Sequence, residues 1–158
     1  MPVHRHPATA SRVGEPITRI PVDPGVIERL RTSYGLVRVR ELDFARTFYS
    51  KLFEAAPAVR SMFPEDLELQ ARKLTMALDT IVANLENPET NAHMLAELGR
   101  RHANYGARPE HYHLVIETMI ASMREVLGGE GDEKVLQEWR MALRLIGKQM
   151  IDAARSSI

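Results

Sequence analysis

Cysteine is absent from the 158 residues, and that one absence removes whole classes of chemistry. Disulfides, iron–sulfur clusters, zinc–thiolate sites, thioether-attached cofactors and thiol nucleophiles all need a sulfhydryl. Any metal must therefore be held by nitrogen or oxygen. An excess of one charge is missing too: 21 Lys and Arg are matched by 21 Asp and Glu, for a formal net charge of zero. Nothing in that balance favours nucleic acid or an anionic membrane as a partner. No apolar run is long enough for a signal peptide or a membrane span, so a soluble protein of the cytoplasm is expected. With 44% of its residues hydrophobic, the chain suits one domain with a real core and is too short for two comfortable ones.

Residues 1–22 hold four of the nine prolines among arginines and small polar residues, with little helical periodicity, and read as a flexible N-terminal arm. The remainder, 23–158, reads as helix after helix. Asp23-Pro24 supplies a cap and a proline at the first helical position, and Ile27, Leu30, Tyr34 and Val37 follow at helical spacing. A second helix is expected from about Arg40 to Ala55, with Leu42, Ala45, Phe48, Tyr49, Leu52 and Phe53 inward and Pro57 marking its end. After the turn PAVRSMFPED, residues Pro64, Glu65 and Asp66 open a third helix whose inner face reads Gln70, Leu74, Ala77, Leu78, Ile81 and Leu85.

Asn87-Pro88 breaks that helix, and Thr90 can cap the next, which runs to Gly106. Pro109 and Glu110 start a long helix with Tyr112, Val115, Met119, Ser122, Met123 and Val126 on one side, closed by Gly128-Gly129. Asp132 caps the last, where Val135, Trp139, Ala142, Leu143, Ile146, Met150 and Ala153 form the apolar face. No segment alternates with period two. The prediction is an all-α domain of about seven helices, with connections too uneven for a repeat array or a simple four-helix bundle.

The stretch LAELGRRHANYG, residues 95–106, carries the chemistry. Leu95, Leu98, His102 and Tyr105 recur at intervals of three and four, which puts His102 on an apolar helical stripe. A buried neutral imidazole needs a partner for each ring nitrogen, and a metal would satisfy one of them. An ordinary hydrogen-bonded core histidine fits the same stripe. Gln70 is equally two-sided: either a buried amide that needs partners or a residue at the stripe's edge reaching solvent.

Taken together, FYSKLF, the corner PAVRSMF, the inward Gln70 and Leu74, LGRRH, and the pair His111-Tyr112 resemble a globin. Within that family the chain is similar to bacterial single-domain globins and to the haem domain of flavohaemoglobins, over roughly residues 24–154. The resemblance implies a globin fold around a haem b pocket. It makes His102 the proximal ligand of the iron, Phe63 the corner phenylalanine that packs on haem, and Tyr49, Gln70 and Leu74 the distal residues. The carbonyl of Leu98 would then be the natural acceptor for the second ring nitrogen of His102.

The same resemblance places Leu74, Ile81, Leu98, Val115, Ile146 and Met150 in an apolar wall, with Tyr105, Ala107 and Tyr112 also at the cofactor. Arg101 is placed to reach a haem propionate, or else is a solvated surface arginine. Lys73 and Tyr49 are the side chains that could also ligate ferric iron. Two donors on the open side, the Tyr49 hydroxyl and the Gln70 amide, favour tight oxygen binding and slow release. The tyrosine that tunes the proximal side in flavohaemoglobins matches Tyr112, whereas its glutamate partner falls at about Ala154, so that cluster looks incomplete.

The implied ligands are oxygen, nitric oxide and carbon monoxide. With no room in 158 residues for flavin and nicotinamide domains, sustained nitric oxide dioxygenation is expected to need a separate reductase. Two other functions stay open at this point. One is a gas or redox sensor acting through a partner protein and the arm; the other is a haem-free bundle in which His102 is structural. A monomer and a homodimer through the last two helices both fit.

Overall fold

Asp23 caps the first helix: its carboxylate accepts from the Gly25 N–H at 2.8 Å, and Pro24 takes the first helical position. The computed structural model describes residues 23–156, and the expected arm at 1–22 lies outside the described residues. Six α-helices follow: α1 (Pro24–Val39), α2 (Glu41–Ala55), α3 (Leu67–Ala83), α4 (Pro88–Asn104), α5 (Pro109–Leu127) and α6 (Glu133–Arg155). Two 3₁₀ segments, Pro57–Met62 and Gly128–Glu130, complete the described residues, which contain no strand. The all-α expectation holds, and the corner PAVRSM is itself helical.

Several expected boundaries move for local reasons. Asp66, not Pro64, caps α3, accepting from the N–H groups of Glu68 and Leu69 at 3.1 and 3.2 Å. The helix α4 starts at Pro88, so Thr90 lies inside it rather than capping it. Leu42 was expected inward and is 55% exposed, because the buried row of α2 is Phe44, Ala45, Phe48, Tyr49 and Leu52. Two residues before Phe44, Leu42 sits roughly 200° around the helix from it.

α4 packs along α6, α2 against α5, and α5 against α6, while α1 leans on α6 and α3 rests on α2 and α1. Trp139, Phe44 and Leu30 are among the largest fully buried side chains. The Trp139 indole donates to Ser33 Oγ at 2.8 Å, tying α6 to α1. Arg29 adds a forked pair to Glu138 at 2.6 and 2.7 Å, and Arg140 a similar fork to Glu117 at 3.0 and 3.1 Å.

Hydrogen bonding from Arg29 holds the Glu138 carboxyl below the usual carboxylate range, and Arg140 does the same for Glu117. A carboxylate depressed in the folded state contributes stability above its unfolded pKa and loses it as pH falls through the folded value. Thermal unfolding should therefore drop on acidification below about pH 4.3, the ordinary glutamate value. Glu138→Gln should lower the midpoint at neutral pH and flatten that acid slope; an equally steep slope in the variant would contradict this.

Candidate functional site

Helices α3 and α4 are supported separately, one on α2 and α1 and the other on α6, and they do not pack along one another. They meet at one end. Asn91, 1% exposed in the first turns of α4, donates through Nδ2 to the carbonyls of Ile81 and Asn84, both at 3.1 Å. Away from that tie each helix presents a half-buried row beside its fully buried one.

On α4 the buried row is Asn91, Leu95 and Gly99, and the half-buried row beside it is Met94, Leu98 and His102. On α3 the buried row is Ala71, Thr75, Leu78 and Val82, while Gln70, Leu74 and Ala77 are half-buried on its flank. The sequence expectation placed those three on the innermost stripe. They are one position off it, about 100° around the helix, in the row that ends at Ile81 next to Asn91.

His102 is oriented by its own helix. Its Nδ1 lies 2.8 Å from the Leu98 carbonyl oxygen, one turn earlier. A carbonyl only accepts, so Nδ1 carries the hydrogen, and in the neutral ring Nε2 keeps the lone pair. The Tyr112 ring stands 6.2 Å from the imidazole at 40°, and burial pushes its phenol above the usual tyrosine range. Behind His102 the helix ends in a turn in which Ala107 N–H donates to the His102 carbonyl at 2.9 Å. Gly106, at φ 91°, supplies the left-handed residue that this turn needs.

On α2, Tyr49 is 5% exposed inside an aromatic cluster. Phe63 meets it edge-on at 5.7 Å, Phe53 stacks at 5.9 Å, and Phe53 and Phe63 touch at 5.5 Å. The extended backbone of Phe63, just past the corner, lets its ring turn back onto α2. Burial alone pushes the Tyr49 phenol far above its ordinary pKa, so it stays a protonated donor. Its hydroxyl has no hydrogen-bond partner among the described residues, nor has the Gln70 amide.

The other expected site residues divide. Ile146 and Met150 are buried on α6, and Leu74, Leu98 and Val115 are half-buried, as an apolar wall requires. Arg101 pairs with Glu97 of its own helix at 2.7 Å in solvent. Lys73 is exposed. Tyr105 departs from the expected apolar stripe: it is 69% exposed, because α4 ends at Asn104 and the periodicity ends with it. Phe53, Asn91 and Gly99 were not singled out for the site; Phe53 had a signal in FY-x-x-LF, and the other two act through neighbours distant in sequence.

A histidine with an open Nε2, half-buried rows on two separately held helices, and a buried tyrosine whose hydroxyl has no partner among the described residues together fit a planar iron porphyrin. The comparisons agree. A globin family model matches residues 46–150, and the chain belongs to the globin family. The chain is 34% identical over 98 residues to a flavohemoprotein of Rhizobium meliloti, covering 60% of this chain and 24% of that one.

A bacterial globin structure from Campylobacter jejuni superposes with a TM-score of 0.75 at 25% identity, over 85% of this chain and 97% of that one. An engineered carbene transferase, named as a nitric oxide dioxygenase from Rhodothermus marinus, reaches 0.77 at 26% identity, over 86% and 95%. This chain spans about a quarter of the length of the flavohemoproteins it matches. Among the described residues no helix is long and apolar enough to cross a membrane.

Proposed function

We propose that this globin is a cytoplasmic protein that binds oxygen reversibly and with high affinity at ferrous haem b, with nitric oxide and carbon monoxide as further ligands. The observation that carries this reading is the Leu98–His102 hydrogen bond, which leaves Nε2 as the one ring lone pair free to hold iron. Haem, when bound, supplies an iron with an open position for a diatomic ligand. The missing cysteines exclude a thioether link and so support a haem held without covalent attachment, as haem b is.

The chain's own residues set what happens at that open position. Tyr49 offers a proton that burial keeps in place, and Gln70 an amide, to a ligand that gains negative charge. The same burial disfavours a Tyr49 phenolate as an internal ligand. Phe53 and Phe63 pack against the Tyr49 ring and fix its position. Nitric oxide dioxygenation is the accompanying activity, with electrons returned by a separate reductase. The flavohemoprotein relatives, of which this chain matches about a quarter, support a haem domain that works with a flavin partner.

The test is oxygen release from the reconstituted protein after flash mixing. Each distal donor contributes on the order of 1 kcal/mol or somewhat more in a dry pocket, so Tyr49→Phe should release oxygen roughly tenfold faster. Tyr49→Phe and Gln70→Leu combined should be faster still. An unchanged rate in both would overturn the high-affinity reading.

A further inference from the structure

We propose that Trp139, Tyr34 and Asp79 form a one-electron relay that carries oxidising equivalents from the haem pocket to the protein surface. This rests on the haem-binding reading above and adds a route that oxygen binding does not use. Trp139 shares the buried face of α6 with Ile146, which the resemblance to globins places at the haem; the two are seven positions and so about 10 Å of helix rise apart.

Trp139 is buried, and its indole N–H is fixed by the bond to Ser33 Oγ. The Tyr34 ring lies 6.3 Å from the indole at 50°, also buried. The Tyr34 hydroxyl donates to the Asp79 carboxylate, with the Thr75 carbonyl a longer second acceptor at 3.3 Å. Arg38 holds both Asp79 oxygens, at 3.1 and 3.3 Å, and itself pairs with Glu41 at 2.6 Å. Asp79 is half-exposed, so the chain of groups ends at solvent.

The proton decides which aromatic residue receives the charge. Removing an electron from a phenol releases its proton, and a buried phenol without an acceptor would have to carry a positive charge in an apolar setting. Of the four tyrosines, Tyr49, Tyr105 and Tyr112 have no carboxylate partner among the described residues; Tyr34 has one. The step balances. With haem bound and oxidised by a hydroperoxide, the Trp139 indole would give up one electron to it. The indole cation radical then takes one electron from Tyr34 as the phenolic proton moves to the Asp79 carboxylate. The products are neutral Trp139, a neutral Tyr34 phenoxyl radical and a protonated Asp79.

The experiment uses the ferric, haem-loaded full chain, its Soret absorption verified first, mixed with hydrogen peroxide and frozen for electron paramagnetic resonance. A tyrosyl signal is expected, lost in Tyr34→Phe and strongly reduced in Trp139→Phe. Asp79→Asn, a half-exposed change that leaves the core intact, should also reduce it by removing the proton acceptor. A tyrosyl signal that is unchanged in Tyr34→Phe, or in both Trp139→Phe and Asp79→Asn, overturns the relay while leaving oxygen binding untouched. Failure to take up haem overturns the haem reading and the relay with it.

Discussion

Gly99→Ala is expected to destabilise the protein by about 2–3 kcal/mol, the upper range for forcing a methyl group into a packed interface. A Cβ on Gly99 would stand 2.2 Å from the Met150 carbonyl oxygen and 2.7 Å from the carbon that bears it. Those atoms belong to the backbone of α6, so no rotamer change can clear them. α4 would have to move off α6, and His102, one turn further along α4, would move with it. The midpoint of thermal unfolding should fall by roughly 5–10 °C. Haem should also be lost faster to a competing apoglobin. A variant as stable and as retentive as the parent would mean that α4 is not held at this crossing.

His102→Ala should have the larger effect on function. It removes the one nitrogen lone pair that the Leu98 carbonyl keeps available. Haem uptake should fall to the weak level that apolar contacts alone support, and the stabilisation that bound haem gives the fold should vanish by mass action. The haem-free stability should change little, since His102 is half-buried and makes one internal bond. His102→Gly with free imidazole added should recover a five-coordinate ferrous spectrum. Unchanged haem binding in His102→Ala would place the ligand elsewhere in the chain.

The helical plan and the family were legible in the sequence because both rest on local signals: caps, prolines and runs of apolar residues at helical spacing. The Leu98–His102 bond was legible for the same reason, since an i to i−4 reach is set by helix geometry. Leu42 and Gln70 show where periodicity stops being decisive. A row of apolar residues fixes a helix face only to within about one position, and which row lies deepest depends on the neighbour it meets. Gln70 flanks the buried row because α3 turns that row toward α2 and α1 and leaves the next one half-buried.

Gly99 was visible as a letter but not as a contact. Its importance comes from Met150, far along the chain. Tyr105 failed for the opposite reason, because the helix ended before the pattern did. The ion pair between Arg101 and Glu97 was within reach of the sequence as an i to i+4 neighbour pair.

The tie at Asn91 has a mechanical meaning. With α4 seated along α6 and α3 resting on α2 and α1, the two helices are joined at one end and carried by different supports along the rest. A change that loosens α3 is then expected to leave the seat of His102 in place, and one that loosens α4 from α6 to move the histidine itself.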